Sequence, residues 1–96
     1  GAGNVAVGNG AMESNTIGND SVAIGEAALA YGTNVFSQVA IGRNALIDTN
    51  NSTDNTAIGI YAGDSITSGS YNIVVGSNAD VPSPTGNYQL SIGNFI

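Results

Sequence analysis

The chain has 96 residues, of which 42% are hydrophobic and only 8% are charged. One basic and seven acidic residues give a net charge of −6, which excludes nucleic acid as a partner, because phosphate contacts need clustered lysine and arginine. No apolar run approaches the roughly 20 residues of a membrane-spanning helix, so membrane insertion is not expected, and residues 1–10 lack the basic stretch of a signal peptide.

A 17-residue repeat runs through the chain. Each copy contains a glycine that follows valine or isoleucine, with a second aliphatic residue or threonine two positions before that one. The repeat predicts a single β-solenoid domain over residues 1–96, with copies at about 3–19, 20–36, 37–53, 54–70, 71–87 and 88–96. The repeating glycines are Gly8, Gly25, Gly42, Gly59, Gly76 and Gly93.

Each copy holds one run of the type polar–Val–Ala–Ile–Gly, first at residues 4–8. Alternation with a period of two and β-branched residues are typical of a strand. We expect the glycine to end the strand because the turn needs a positive φ or a close backbone approach. Residues 26–31 are the nearest candidate for a helix, but we predict a strand there too, and therefore an all-β protein.

Identical strands at a fixed spacing should stack as a parallel sheet, with equivalent residues about 4.8 Å apart. We expect the valine and isoleucine columns to lie inside each coil, and the polar column before them to form side-chain amide ladders. The alanine column points the other way, where a water-facing sheet would carry polar residues. We therefore expect sister chains of a homotrimer to cover it. The predicted core and trimer interface comprises Ala6, Ala23, Ala40, Ala57, Val74, Val22, Ile24, Val39, Ile41, Ile58, Ile73 and Val75.

The runs Asn-Val-Ala-Val-Gly (4–8), Ser-Val-Ala-Ile-Gly (21–25), Gln-Val-Ala-Ile-Gly (38–42) and Asn-Thr-Ala-Ile-Gly (55–59) resemble the head repeats of trimeric autotransporter adhesins. Residues 66–76 and 87–96 look more like bacteriophage tail fibres and tailspikes. Either resemblance implies a parallel β-roll of three chains, packed side by side or intertwined. The coil here is longer than is usual in adhesin heads, and no coiled-coil heptad follows the repeats, which favours the phage family.

The phage resemblance implies a rigid shaft or tip segment in the virion that attaches to a polysaccharide or protein receptor on a bacterial surface. The alternative is the head of a bacterial adhesin that binds host matrix at the cell surface. Because residues 1–96 include neither the chaperone domain expected of a tail fibre nor the neck and anchor of an adhesin, the repeats alone leave both interpretations open.

Catalysis is not expected, and we predict no cofactor and no metal. Histidine and cysteine are absent, which removes the commonest general base, nucleophile and zinc ligands. The seven carboxylates are scattered along the repeat, and we interpret them as solvated turn residues. The segment from Asp48 to Asp54 resembles the start of a calcium loop, but Thr53 and Gly59 stand where that loop requires glycine and glutamate. We predict a polar turn there.

Candidate receptor contacts come from aromatic residues and prolines. Tyr71 and Tyr88 are 17 apart and should stack in adjacent coils, and Tyr61 shares a second column with Phe95. Such ladders could bind sugar rings, although packing within a trimer is the interpretation that we favour. Pro82 and Pro84 predict a protruding loop over residues 81–87, because proline cannot donate to a strand ladder, and loops on rigid scaffolds often carry binding residues.

Overall fold

The computed structural model describes residues 1–93, which form an all-β solenoid without a helix. Phe95, the predicted column partner of Tyr61, lies outside the described residues. Eight short strands, numbered in chain order, are β1 (Val5–Val7), β2 (Val22–Ile24), β3 (Val35–Phe36), β4 (Val39–Ile41), β5 (Ser52–Thr53), β6 (Thr56–Ile58), β7 (Ile73–Val75) and β8 (Leu90–Ile92).

Six of these strands form one parallel sheet in the order β1–β2–β4–β6–β7–β8. Each pairing joins residues that are 17 apart, as Val5 with Val22 and Val22 with Val39. The predicted repeat and its parallel register are thereby confirmed. The described residues make about five turns, and the sixth predicted coil is described only as far as Gly93. Strands β3 and β5 form a second, two-stranded parallel sheet.

The repeating glycines end the strands for both of the predicted reasons. The five from Gly8 to Gly76 have φ between 128° and 134°, a region that side chains rarely allow. The coils also approach each other closely here. A Cβ on Gly25 would lie 2.7 Å from the carbonyl carbon of Gly42 in the next coil, so this column cannot accept a larger residue.

Residues 26–31 form a turn, so their prediction as a strand is wrong. Ala27 and Leu29 both adopt left-handed backbone conformations, with φ of 59° and 53°. Leu46, which occupies the position of Leu29 in the next coil, is left-handed as well. The Leu29 N–H donates to the Ala45 carbonyl of the next coil at 3.0 Å. The turn therefore redirects the chain while it continues the hydrogen bonding between coils.

The alanine column lines the interior of the solenoid. Ala23, Ala40 and Ala57 are fully buried within the single chain. The valine and isoleucine columns of the same strands face outward, and Ile24 of β2 and Ile58 of β6 are 39% and 40% exposed. The prediction had the two faces reversed: no sister chain is needed to cover the alanines, and the large aliphatic residues are not inside the coil.

The narrow coil explains this orientation. Leu29, Leu46 and Val35 come from the turns and from β3, and they fill the interior together with the alanines. With these residues in place, the sheet can contribute only small side chains. Among the residues predicted for core and interface, Val74 is also buried, Val22, Val39, Ile41 and Val75 are half-buried, and Ala6, Ile24, Ile58 and Ile73 are exposed.

The polar column caps backbone groups and does not form the continuous amide ladder that we predicted. Asn55 Oδ1 accepts the backbone N–H of Asn72 in the next coil at 2.9 Å, and its Nδ2 donates to the Gly69 carbonyl at 2.8 Å. Asn72 repeats both bonds one coil later, to the Gln89 N–H and the Gly86 carbonyl. Each asparagine thus satisfies two backbone groups that no strand partner reaches.

Ile66 fills the interior where the repeat lacks its leucine. The position of Leu29 and Leu46 is occupied in the next copy by Gly63. A Cβ on Gly63 would lie 2.9 Å from Leu46 Cδ2 and 3.3 Å from Ile66 Cδ1. Ile66 is fully buried, so a residue three positions along the chain takes over the packing role.

Replacing this side chain should destabilise the protein. We expect Ile66→Ala to lower the free energy of unfolding by about 2–5 kcal/mol, because it leaves a cavity in a narrow core. Urea denaturation followed by circular dichroism measures the change. Ile17→Ala is the matched control, since Ile17 is 60% exposed and its truncation should cost less than about 0.5 kcal/mol. Equal effects of the two substitutions would contradict this packing role.

Candidate functional site

The outward side of the six-stranded sheet is an apolar surface, interrupted by Thr56 of β6, which we call the outer apolar face. None of the chain's charged residues lies on the strands that form it. Contiguous exposed apolar patches mark interaction sites more often than single exposed side chains do. The most exposed residues of the face are Val5, Val7, Ile24, Ile58, Ile73, Leu90 and Ile92, at 39–56% exposure.

Tyr71 and Tyr88 form the predicted aromatic stack. Their ring centroids are 4.9 Å apart, and the rings are nearly parallel, at 6°. Both residues hold left-handed backbone conformations, and their side chains are 45% and 77% exposed. Because the rings use one face each to contact the other, the stack offers mainly ring edges, hydroxyls and the remaining outer faces to a ligand.

The other predicted contact residues do not join this stack. The only ring contact of Tyr61 among the described residues is with the guanidinium of Arg43, which lies 5.3 Å from the ring centroid. Cation–π contacts of this kind stabilise a partly exposed ring. Tyr61 is thus half-buried against its neighbour in the preceding coil.

The segment with Pro82 and Pro84 follows the path of the coil, so the prediction of a protruding loop is wrong. The Pro84 carbonyl accepts N–H groups of Thr67 and Gly69 at 3.0 and 3.2 Å. Gln89 Oε1 accepts the Ser83 N–H at 3.0 Å. Both prolines are exposed, but the 17-residue spacing leaves no extra residues from which a loop could project.

Three carboxylates come together that their sequence spacing did not associate. Asp64 and Asp80 are 16 apart, one residue off the repeat, as are Asp48 and Asp64. The pKa of Asp64 is raised, first by burial, then by a hydrogen bond with Asp80, and finally by the negative charges of Asp80 and Asp48. The Ser65 hydroxyl donates to Asp80 at 2.6 Å. The cluster therefore gathers like charges that weaken the fold locally when all of them are ionised.

In the segment from Asp48 to Asp54, which resembles the start of a calcium loop, the side-chain oxygen of Asn50 is already occupied by hydrogen bonds. Asn50 Oδ1 accepts the backbone N–H groups of Thr33 and Asn34 at 3.2 and 3.0 Å, and also the Thr33 hydroxyl. It therefore caps the preceding coil, as a polar turn would. Across residues 1–93, no three acidic, histidine or cysteine side chains are placed to hold a metal ion.

A groove of about 230 Å³ lies along the second sheet, and the sequence did not suggest it. Its lining residues are Asn34, Phe36, Asn51, Ser52, Thr53 and Ser70. One sequence signal could have indicated it: Phe36 is the one large residue in a column that otherwise reads Ala2, Asn19, Thr53, Ser70 and Asn87. A long side chain beside short ones leaves a cleft next to its ring.

Comparison with known proteins yields no match for this chain among protein families, curated proteins or solved structures. The described part of the chain also contains no helix that could cross a membrane. Function must therefore be inferred from the outer apolar face, the tyrosine stack and the groove.

The acidic cluster predicts a pH effect on stability. The pKa of Asp64 is higher in the folded chain than its ordinary 3.8, so the folded state binds the proton more tightly than the unfolded state does. The folded state therefore loses stability as the pH rises from 3.8 through the raised pKa. We expect Asp64→Asn to raise the melting temperature at neutral pH and to have little effect below pH 3.8. Thermal denaturation of both proteins at pH values from below 3.8 to neutral measures this difference in melting temperature. A melting temperature that Asp64→Asn lowers at neutral pH would contradict the assignment.

Proposed function

We propose that this chain is a segment of a bacteriophage tail fibre or tailspike, in which three copies form a rigid shaft or tip for attachment to a bacterial surface. The observation that carries the proposal is the outer apolar face. It exposes large aliphatic side chains on five of the six strands of the sheet, and a chain that worked alone in water would gain nothing from this exposure.

The composition of the face supports association between identical chains. With no charge on its strands, its burial carries no cost of desolvating ions. Apolar burial contributes about 25 cal/mol for each Å² removed from water. Identical columns at a constant spacing also allow sister chains to align coil by coil, so that each strand meets an equivalent environment.

The number three comes from the resemblance of the repeats to tail fibres and adhesin heads, both of which are trimeric. Attachment would then be multivalent, because three equivalent surfaces that point the same way bind a repetitive receptor with a gain in avidity. The dense hydrogen bonding between coils supports a mechanical role, since every turn is fixed to the next by backbone groups.

The candidate contact residues are consistent with such a role to different degrees. Tyr88, Pro82 and Pro84 are exposed, and Tyr71 is exposed beside Tyr88. They could contribute to receptor binding through ring edges and hydroxyls. Tyr61 is less suited, because its ring already contacts Arg43.

The adhesin head is the alternative function, and it uses the same outer apolar face for trimerisation. The two proteins differ in the domain expected on the C-terminal side of residue 96. A chaperone domain there would support the tail fibre, whereas a neck and a membrane anchor would support the adhesin. Sequencing the complete gene distinguishes them.

Native mass spectrometry or sedimentation tests the assembly. We expect the unmodified chain to be a trimer, and Ile58→Asp, which places a charge at the centre of the outer apolar face, to shift the mass toward the monomer. Ile17→Asp is the matched control, because Ile17 is 60% exposed but lies outside the strands of the sheet. It should remain trimeric.

A wild-type chain that is folded and monomeric at micromolar concentration would contradict the proposal. So would an Ile58→Asp variant that keeps the wild-type mass, because the face would then be exposed without being an interface.

A further inference from the structure

The groove along the second sheet has a defined physical origin. Phe36 of β3 pairs in register with Thr53 of β5, and Ser70 occupies the same column in the following coil. The phenyl ring is half-buried, so part of it forms a wall above two short hydroxyl side chains. Asn34 and Asn51 form the neighbouring column of the lining. The site thus combines one aromatic surface with amides and hydroxyls.

The polar groups of the lining keep hydrogen-bonding capacity for a ligand. Asn34 donates through Nδ2 to Asn51 Oδ1 at 2.9 Å, but Asn34 Oδ1 is buried and accepts no hydrogen bond within residues 1–93. Buried polar atoms without a partner are rare in native proteins and call for an explanation. This oxygen has almost no accessible surface, however, so the groups that a ligand in the groove can reach are those of Asn51, Thr53 and Ser70.

The hydroxyls add a donor and an acceptor. Ser70 Oγ accepts the Thr53 N–H at 3.1 Å, so its own hydrogen remains able to donate. Thr53 Oγ1 gives its hydrogen to Asp54 Oδ2 at 2.8 Å, so its lone pairs remain able to accept. The groove therefore offers donors and acceptors side by side, and all of them are uncharged.

This lining selects one class of ligand. An anion would meet no positive charge, since the lining has no basic residue and the chain carries a net charge of −6. A metal ion would find no carboxylate among the lining residues. A purely apolar molecule would leave the hydroxyls of Thr53 and Ser70 without hydrogen-bond partners, which would weaken its binding. Neutral hydroxyls arranged beside an apolar patch fit these groups, and a sugar ring presents both.

We propose that the groove lined by Asn34, Phe36, Asn51, Ser52, Thr53 and Ser70 binds a neutral saccharide, with one sugar ring against Phe36. Its volume of about 230 Å³ is below the roughly 300–1,000 Å³ of pockets for drug-sized ligands. A groove of this size suits one sugar ring, with the adjoining rings of the saccharide outside it. The site rests on the proposed attachment function and deepens it. It lies on a different sheet from the outer apolar face, so binding and assembly can fail independently.

Heteronuclear NMR of the full chain tests this site with named probes. Glucose, galactose, mannose, rhamnose, N-acetylglucosamine and N-acetylgalactosamine are titrated separately, together with a disaccharide of each hexose. We expect at least one to shift the amide signals of residues 34–36, 51–53 and 70 in a saturable manner. If no probe shifts these signals, the proposal is overturned. Shifts confined to Tyr71 and Tyr88 also overturn it and place binding at the tyrosine stack.

Two variants separate binding from folding. Phe36→Leu keeps apolar bulk but removes the ring, and we expect it to weaken binding by about two- to tenfold, the range of aromatic contact energies. Asn51→Gly removes an amide at a position with a left-handed φ of 52°, which glycine adopts freely, and should weaken binding similarly. Tyr31→Ala is the control that should bind normally, because Tyr31 is 59% exposed and lies outside the lining of the groove. Unchanged affinity in both groove variants, with wild-type folding, overturns the assignment.

Discussion

The narrowness of the coil is the constraint on which the rest of this structure depends. Seventeen residues complete one turn, and the interior they enclose already holds Leu29, Leu46, Val35 and Ile66. Only alanine-sized residues on the sheet fit against them in most coils, because protein interiors are close-packed. The large aliphatic side chains of the same strands must therefore face outward. An apolar exterior is thus a consequence of the packing inside, and it creates the surface on which the proposed assembly rests.

Hydrogen bonds between coils hold this thin structure together. The strands provide part of them, and the turns provide others through left-handed residues such as Leu29 and Tyr71, whose N–H groups donate to neighbouring coils. Asparagines such as Asn55 bond the remaining backbone groups. Because most of these backbone bonds join residues about 17 apart, a disturbance in one coil affects the coils on both sides. This arrangement suits a protein whose proposed role is to form a rigid segment of a fibre.

Function in this chain is carried by surfaces, and their chemistry differs from one side of the coil to another. The outer apolar face has no charge and suits another copy of the chain, whereas the groove beside Phe36 is polar and suits a small neutral ligand. The acidic cluster around Asp64 resembles neither surface, since its carboxylates repel one another and none of them lines the groove. A solenoid permits this separation because each column of the repeat forms its own stripe and can change without altering its neighbours.

The sequence by itself determined the repeat, the parallel register, the glycine turns and the stacking of Tyr71 on Tyr88, because identical strands at a constant spacing place equivalent residues one above another. The tertiary structure alone decided which side of each strand is inside. Alternation separates Ile24 from Ala23 but does not assign either to the core, and that choice depends on the space left by Leu29 and Leu46. The carboxylate cluster was likewise beyond prediction, since it joins residues in different columns, and the groove was indicated only by the size of Phe36 within its own column. The distance between columns is set by turns whose left-handed conformations often fall on residues that rarely adopt them, such as Leu29 and Tyr61.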